Sequence, residues 1–206
     1  LTKITASDVD SSDKFGASVA VGNGRIVVNS PFDDDNGSNS GSAYIFDLDG
    51  NELTKITASD DVADDEFGWS VAVGSGRIVI GTYEDNNNKG SAYIFDLDGN
   101  QLSKITASDG SSGDYFGWSV AVGSGRIVVG AYQDINANGI DSGAAYIFDL
   151  DGNEITKIIA SDGDNFTRFG FSVAVGSGKI VIFTTSGPEA YIYDTPDIQH
   201  TLDILE

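Results

Sequence analysis

Phe67-Gly68-Trp69-Ser70-Val71-Ala72-Val73-Gly74-Ser75-Gly76-Arg77-Ile78-Val79-Ile80 is one copy of a unit that starts again at Phe15, Phe116 and Phe169. A fixed period of about 50 residues marks a repeat architecture, whose units bury their apolar faces against one another. Within the unit the alternation is two-residue. In the first copy Phe15, Ala17, Val19 and Val21 face one way, and Gly16, Ser18 and Ala20 the other. One large and one small face suit the innermost strand of a sheet that tapers toward an axis and meets its neighbour closely. We call it strand a.

A tight glycine turn, Gly22-Asn23-Gly24, leads into strand b at residues 25–29, with 77–81 and 126–130 as its next two copies. Its Ile-Val-Val run is apolar on both faces, so the sheet is covered on both sides. A polar loop over 33–41 precedes strand c at 42–48, which sets Tyr44, Phe46 and Leu48 on one face and Ala43 and Ile45 on the other. Asp49-Gly50 turns the chain into strand d at 52–57, and Asp-Gly between strands is a strong hairpin signal. Four antiparallel strands per unit, with no helical period, describe a β-propeller blade. A β-sandwich is the structural runner-up, but it does not explain small residues on the same strand of every copy.

The ends decide the ring. Residues 1–6, LTKITA, repeat those at 53–58 and 102–107 and more loosely 155–160, so the chain opens with a strand of type d. The fourth copy keeps strand c at 190–194 but replaces Asp-Gly with Pro196-Asp197, and 198–206 loses the LTKITA pattern. The expected fold is therefore all-β: one domain over 1–206, a four-bladed propeller with units 7–58, 59–107, 108–160 and 161–206. Residues 1–6 pair with 190–194 and close the ring, which removes exposed sheet edges. The alternative is part of a larger seven- or eight-bladed propeller, with the altered fourth copy as a cap or two chains making eight blades.

Composition narrows the function. The chain has 206 residues, 40% hydrophobic, with no Cys, no Met and a single His, His200. Without Cys there is no disulfide, thiol nucleophile or thiolate metal site, and no Ser-His-Asp or His-zinc constellation can be assembled. Aspartate is abundant, so a carboxylate-pair glycosidase is formally open, yet nothing singles out an acid beside its partner. Thirty-two acidic against 11 basic residues give a formal charge of −21, which repels nucleic acid and anionic membranes and favours cations. There is no run of about 18 apolar residues for membrane insertion.

Phe-Gly opening strand a, Ser-Val-Ala within it, Gly130-Ala131-Tyr132 ending strand b and Ala-Tyr-Ile-Phe in strand c together resemble FG-GAP repeats. These are the blades of integrin α-subunit propellers and of many bacterial and phage surface proteins. The resemblance implies a propeller serving adhesion or structure outside the cell or on a virion. The other copies depart from it at Asn29-Ser30-Pro31, Gly81-Thr82-Tyr83 and Phe183-Thr184-Thr185. The family's calcium loop lies between strands a and b, where this chain has a bare glycine turn, so that site does not carry over.

Up-and-down topology sends the d-to-a and b-to-c loops to one face of the disc, and both sets are acidic. Asp134-Ile135-Asn136-Ala137-Asn138-Gly139-Ile140-Asp141 is the best metal signal. Asp134, Asn136, Asn138 and Asp141 offer oxygens, Ile140 a carbonyl, and Gly139 the sharp turn. It lacks the distal bidentate Glu of an EF-hand, so the expected calcium affinity is modest. Asp33 and Asp35 in the first copy, and Glu84 in the second, are weaker candidates. Aspartates recurring five apart, Asp8/Asp13, Asp60/Asp65 and Asp109/Asp114, read as caps on loop amides. Arg25, Arg77, Arg126 and Lys179 belong on the opposite face, where Lys3, Lys55, Lys104 and Lys157 are also expected. Trp69 and Trp118, with Ala17 and Phe171 at the same place, read as blade-to-blade core, or as a sugar-stacking set near the axis.

The function expected is a non-catalytic, calcium-stabilised, extracellular or virion-surface structural or adhesion module, mediating protein interaction or self-association. The alternative is a lectin-like module that binds a glycan.

Overall fold

The computed structural model describes residues 2–8, 10–60, 62–187 and 189–195. Leu1, Asp61 and the tail 196–206, with His200, lie outside them. Each repeat forms an antiparallel sheet in chain order. The first is β1 (Val19–Gly22), β2 (Arg25–Ser30), β3 (Ser42–Phe46) and β4 (Glu52–Ile56). The second is β5 (Ser70–Gly74), β6 (Arg77–Thr82), β7 (Ser91–Phe95) and β8 (Gln101–Ile105), with one helical turn, α1 (Asp85–Asn88), between β6 and β7. The third is β9 (Phe116–Gly123), β10 (Arg126–Ala131), β11 (Ala144–Phe148) and β12 (Glu154–Ile158).

Local chemistry sets the hairpins. Asn23 and Gly24 at φ 49° and 76° make a tight turn with both central residues left-handed, which matches strand twist. At the other turn the organiser is Asp47 rather than Asp49. Its carboxylate accepts from the Asp49 and Asn51 amides and from the Asn51 side chain at 2.8–3.0 Å. Asp96 with Asn100, and Asp149 with Asn153, repeat it.

The core lies between blades. Val27, Ala43, Ile45 and Ile56 of the first sheet pack on Phe67, Val71, Ile78, Ile80, Tyr93 and Phe95 of the second. Equivalent layers join the second sheet to the third and the third to the fourth. The small face of strand a looks toward the following blade, as Ala20 and Ala72 show, and the large face toward the preceding one.

The same seams explain the Phe-Gly motif. Phe67, Phe116 and Phe169 are wholly buried and bridge in parallel to Gly41, Gly90 and Gly143 of the preceding blade. A Cβ on Gly90 would fall 1.8 Å from the Phe116 carbonyl oxygen. Glycine there is therefore a condition of blade contact. Strand b shows a second device. Gly81 and Gly130 let Ser70 and Ser119 donate to the Gly117 and Gly170 carbonyls, both at 2.8 Å. In the first blade Asn29 replaces that glycine; its side chain donates to the Gly68 carbonyl and accepts from the Ser18 amide, each at 2.6 Å.

In the fourth sheet the described residues do not show the expected ring closure. This sheet has three strands, β13 (Ser172–Gly176), β14 (Lys179–Phe183) and β15 (Ala190–Asp194), and β15 pairs with β14 alone. Residues 2–6 form no strand and pack on the first blade, Ile4 and Ala6 joining Val28, Tyr44 and Phe46. Strand a of the first blade packs on strand a of the second, and its Val19 and Val21 are 63% and 70% exposed. Among the described residues, then, three blades have four strands, one has three, and residues 2–6 pair with no strand. Residues 2–6 lie against the first blade as β4 lies against the second, Thr2 and Ile4 meeting Gly50 as Thr54 and Ile56 meet Gly99.

Candidate functional site

Strand pairing places Tyr44 opposite Lys55, Tyr93 opposite Lys104 and Tyr146 opposite Lys157. All three pairs extend to the acidic loop end, which corrects the expectation that these lysines belong to the opposite face. Lys157 Nζ lies 2.7 Å from Asp109 and 2.8 Å from Asp134, and the Tyr146 hydroxyl sits 2.7 and 2.8 Å from the same two carboxylates. Lys104 joins Asp60 and Asp85 at 2.7 and 2.6 Å. Lys55 gathers Asp8, Asp33 and Asp35 at 2.5–3.0 Å. Each of the first three blades thus clamps its d-to-a loop to its b-to-c loop through one ammonium group.

The electrostatics follow from the clamp. Burial disfavours the charged form of Asp8, but hydrogen bonds from Tyr44 and Lys55 outweigh it and hold the carboxyl below its ordinary value. Asp60 and Asp109 behave alike with their own Lys and Tyr. Asp33 is also lowered, burial being overcome by Lys55, the Asp35 amide, Ser42 and Tyr44. Lys55, Lys104 and Lys157 are raised, their carboxylates prevailing against burial. Asp13, Asp65 and Asp114 take the capping role, each accepting a loop amide three residues back. Asp65 and Asp114 are pushed up by burial and by the neighbouring Asp85 and Asp134 charges.

Arginines hold the other face. Arg25 donates to the Leu97 carbonyl and pairs with Asp98, and Arg77 reaches Leu150 and Asp151. Each grips the hairpin of the blade that follows.

At the axis, strands a of all four blades line a cleft of about 390 Å³ that includes Ala17, Trp69, Trp118 and Val173. Trp69 and Trp118 lie 5.0 Å apart and half-buried, and Trp118 continues to Phe171 at 5.6 Å. Tyr83 crosses Trp69 at 4.7 Å, Tyr132 meets Trp118 at 4.6 Å, and Tyr115 stacks on Tyr132. The b-to-c and d-to-a loops bring these tyrosines to the acidic end of the cleft. Glu66 sits beside Tyr83 with its pKa raised by burial and by Glu84. Among the described residues, the buried Glu66 Oε2 and Arg168 Nε atoms have no hydrogen-bond partner. The sequence names the two tryptophans and Phe171 but misses Tyr83, Tyr115 and Tyr132, whose signal is an aromatic at the ends of strands that converge on one axis.

The metal candidates are arranged differently from a calcium loop. Asp134, 2% exposed, turns toward Lys157 and Tyr146. Asn136 donates to Asp134 and to the Gly143 carbonyl and accepts from the Asn138 amide; Asn138 donates to the Ala160 carbonyl. The Ile140 amide donates to Asn165, and Asp141 sits at φ 51°. In the second blade the inner carboxylate is Asp85, with Glu84 beside Tyr83. Among the described residues no three Asp, Glu, His or Cys side chains converge as a metal-ligand group. As built, the lysine ammonium fills the place a cation would take, so the inner carboxylates do not fit calcium without displacing it.

No helix among the described residues is long and apolar enough to cross a membrane. The FG-GAP repeat family model matches residues 1–46, 51–95 and 100–148. No curated protein matches the chain.

Proposed function

The chain belongs to the FG-GAP repeat family, a propeller-type interaction module, and from that premise we propose that it is a non-catalytic binding domain working outside the cell. Its contact surface is the acidic loop face around the axial cleft, and its partner is a protein presenting basic and apolar side chains. The observation that carries this reading is the half-buried aromatic group Trp69, Tyr83, Trp118 and Tyr132 at the centre of loops rich in aspartate. Aromatic anchors inside a charged rim are the anatomy of binding hot spots. The charge of −21 steers cationic partners toward the chain.

Calcium has a limited place in this proposal. It would meet the outer carboxylates of the loops, such as Asp141, while the lysines hold Asp33, Asp35, Asp85 and Asp134. The second reading, a glycan site, is favoured by the same aromatic cleft, because tryptophan faces stack on sugar rings as well as on side chains.

Labelled protein applied to arrays of basic peptides and of glycans tests both. The account expects peptide binding that weakens steeply with salt and is lost in Trp118→Ala at unchanged fold. Glycan binding lost in the same variant would replace the partner with a sugar. Binding to neither array would overturn the proposal.

A further inference from the structure

The acidic loop face is uneven, and its third seam differs from the first two. At each seam the loop after strand b of one blade meets the loop before strand a of the next. The amides of Asp64, Gly113 and Phe166 donate there to the carbonyls of Ser38, Asn88 and Ile140 at 2.8–3.0 Å. The first two seams are polar at this point: Asn39 donates to Asp64 at 3.1 Å, and Ser112 to the Asn87 carbonyl at 2.7 Å. The third sets isoleucine beside phenylalanine, and both side chains stand in water, Ile140 54% and Phe166 55% exposed.

Ile135 enlarges the patch. An antiparallel bridge joins Asn136 to Gly139, so Ile135 and Ile140 flank it together, and Ile135 is 66% exposed. Among the described residues, the acidic loops of the other two seams expose one large apolar side chain, Val62. Phe166 is also held at φ 66°, where the equivalent positions carry Asp64 and Gly113. Left-handed backbone suits glycine and aspartate and is unfavourable for a bulky side chain, so nothing in the loop itself asks for phenylalanine.

The patch is continuous with the axial cleft. Trp118 meets Tyr132 at 4.6 Å, and the charges of Arg168 and Asp141 both act on Tyr132. The Arg168 amide donates to the carbonyl of Asp141, the neighbour of Ile140, at 3.1 Å. Asp141 in one loop and Asp162 and Asp164 in the other add negative charge beside the apolar side chains.

We propose that the partner lies along this one radius of the face, as an extended protein segment that runs outward from the axial cleft. It lays apolar side chains on Ile135, Ile140 and Phe166 and sets lysines or arginines beside the aspartates. Both the direction and the apolar anchor rest on the protein-binding reading above. Isoleucine offers no flat face for a sugar to stack on, and the surrounding charge repels anionic lipid.

Fluorescence anisotropy in physiological salt tests this with two labelled decapeptides, one alternating lysine and leucine and the other lysine and serine. The parent should bind the leucine peptide about tenfold more tightly than the serine peptide. Phe166→Gly combined with Ile140→Ser installs residues that other seams already carry at these positions. It should remove the preference while circular dichroism and serine-peptide affinity keep the parent's values. Ile135→Ser, which leaves the backbone bonds of the seam untouched, should lower the preference severalfold, and Val62→Ser should leave it unchanged. A parent without the preference, a preference untouched by Ile135→Ser or by the double variant, or one that Val62→Ser removes equally would overturn the proposal and leave the protein-binding reading standing. Binding of neither peptide to the parent would overturn both.

Discussion

Lys157→Met removes an ammonium from between two carboxylates and keeps the length of the side chain. The two partners differ. Asp109 is largely solvated, so its loss of a partner costs little, on the order of 0–1 kcal/mol. Asp134 is 2% exposed, and its charge keeps only the Tyr146 hydroxyl at 2.8 Å and the Asn136 amide at 3.1 Å. Stranding a buried charge costs about 3–5 kcal/mol when burial is complete. Lys157 itself is partly open to water, so we expect a loss of roughly 2–4 kcal/mol, or roughly 5–15 °C in Tm for a chain of this size. Urea denaturation of the parent, Lys157→Met, Asp134→Asn and the double variant closes a mutant cycle. The double variant should recover more than half of the loss, because no buried charge is left. A Lys157→Met protein within about 0.5 kcal/mol of the parent would refute the view that the lysines lock the loops.

Four further outcomes follow from the geometry. Millimolar calcium should raise the Tm of Lys157→Met by several degrees and that of the parent by much less, since only the variant has an empty cation position; equal shifts in thermal melts would contradict this. Gly90→Ala should cost more than about 3 kcal/mol by urea titration, because contact with Phe116 adds to a left-handed φ of 79°. Gly76→Ala, at φ 76° with nothing within 4 Å, should cost only about 1–2 kcal/mol, and equal losses would refute the seam argument. The urea midpoint should peak in mildly acid solution. Asp65, Asp114 and Glu66 have raised values, so their neutral forms add stability as pH falls from 7; Asp8, Asp33, Asp60 and Asp109 have lowered values, so theirs is lost below about pH 4. A steady decline from pH 7 downward would contradict that balance.

The blades were legible because their signals are local. Alternation fixed the strands, Asp-Gly and Asn-Gly fixed the turns, and small residues on strand a marked the face that meets the next blade. What was not legible depends on where side chains of different strands end up. Lys55, Lys104 and Lys157 look from the sequence like members of a basic face, and only the Tyr-Lys cross-strand register shows that they point into the acidic loops. The alternating oxygens of residues 134–141 have calcium-loop spacing, but spacing does not reveal that Lys157, 23 residues on from Asp134, already neutralises it. Asn29 reads as a broken motif and in fact performs by its amide the bridging that glycine and serine share in the next two blades. Ring closure is expected from the matching LTKITA ends, and among the described residues, 2–6 are not paired with β15.

The most direct measurement of the central claim is amide hydrogen exchange on the protein with and without a saturating basic peptide taken from the array. The account predicts added protection at the axial ends of the acidic loops, in residues 83–90, 112–118 and 132–143, with no change at the glycine turns 22–25, 74–77 and 123–126. Protection confined to those glycine turns, or absent from the acidic loops, would contradict it.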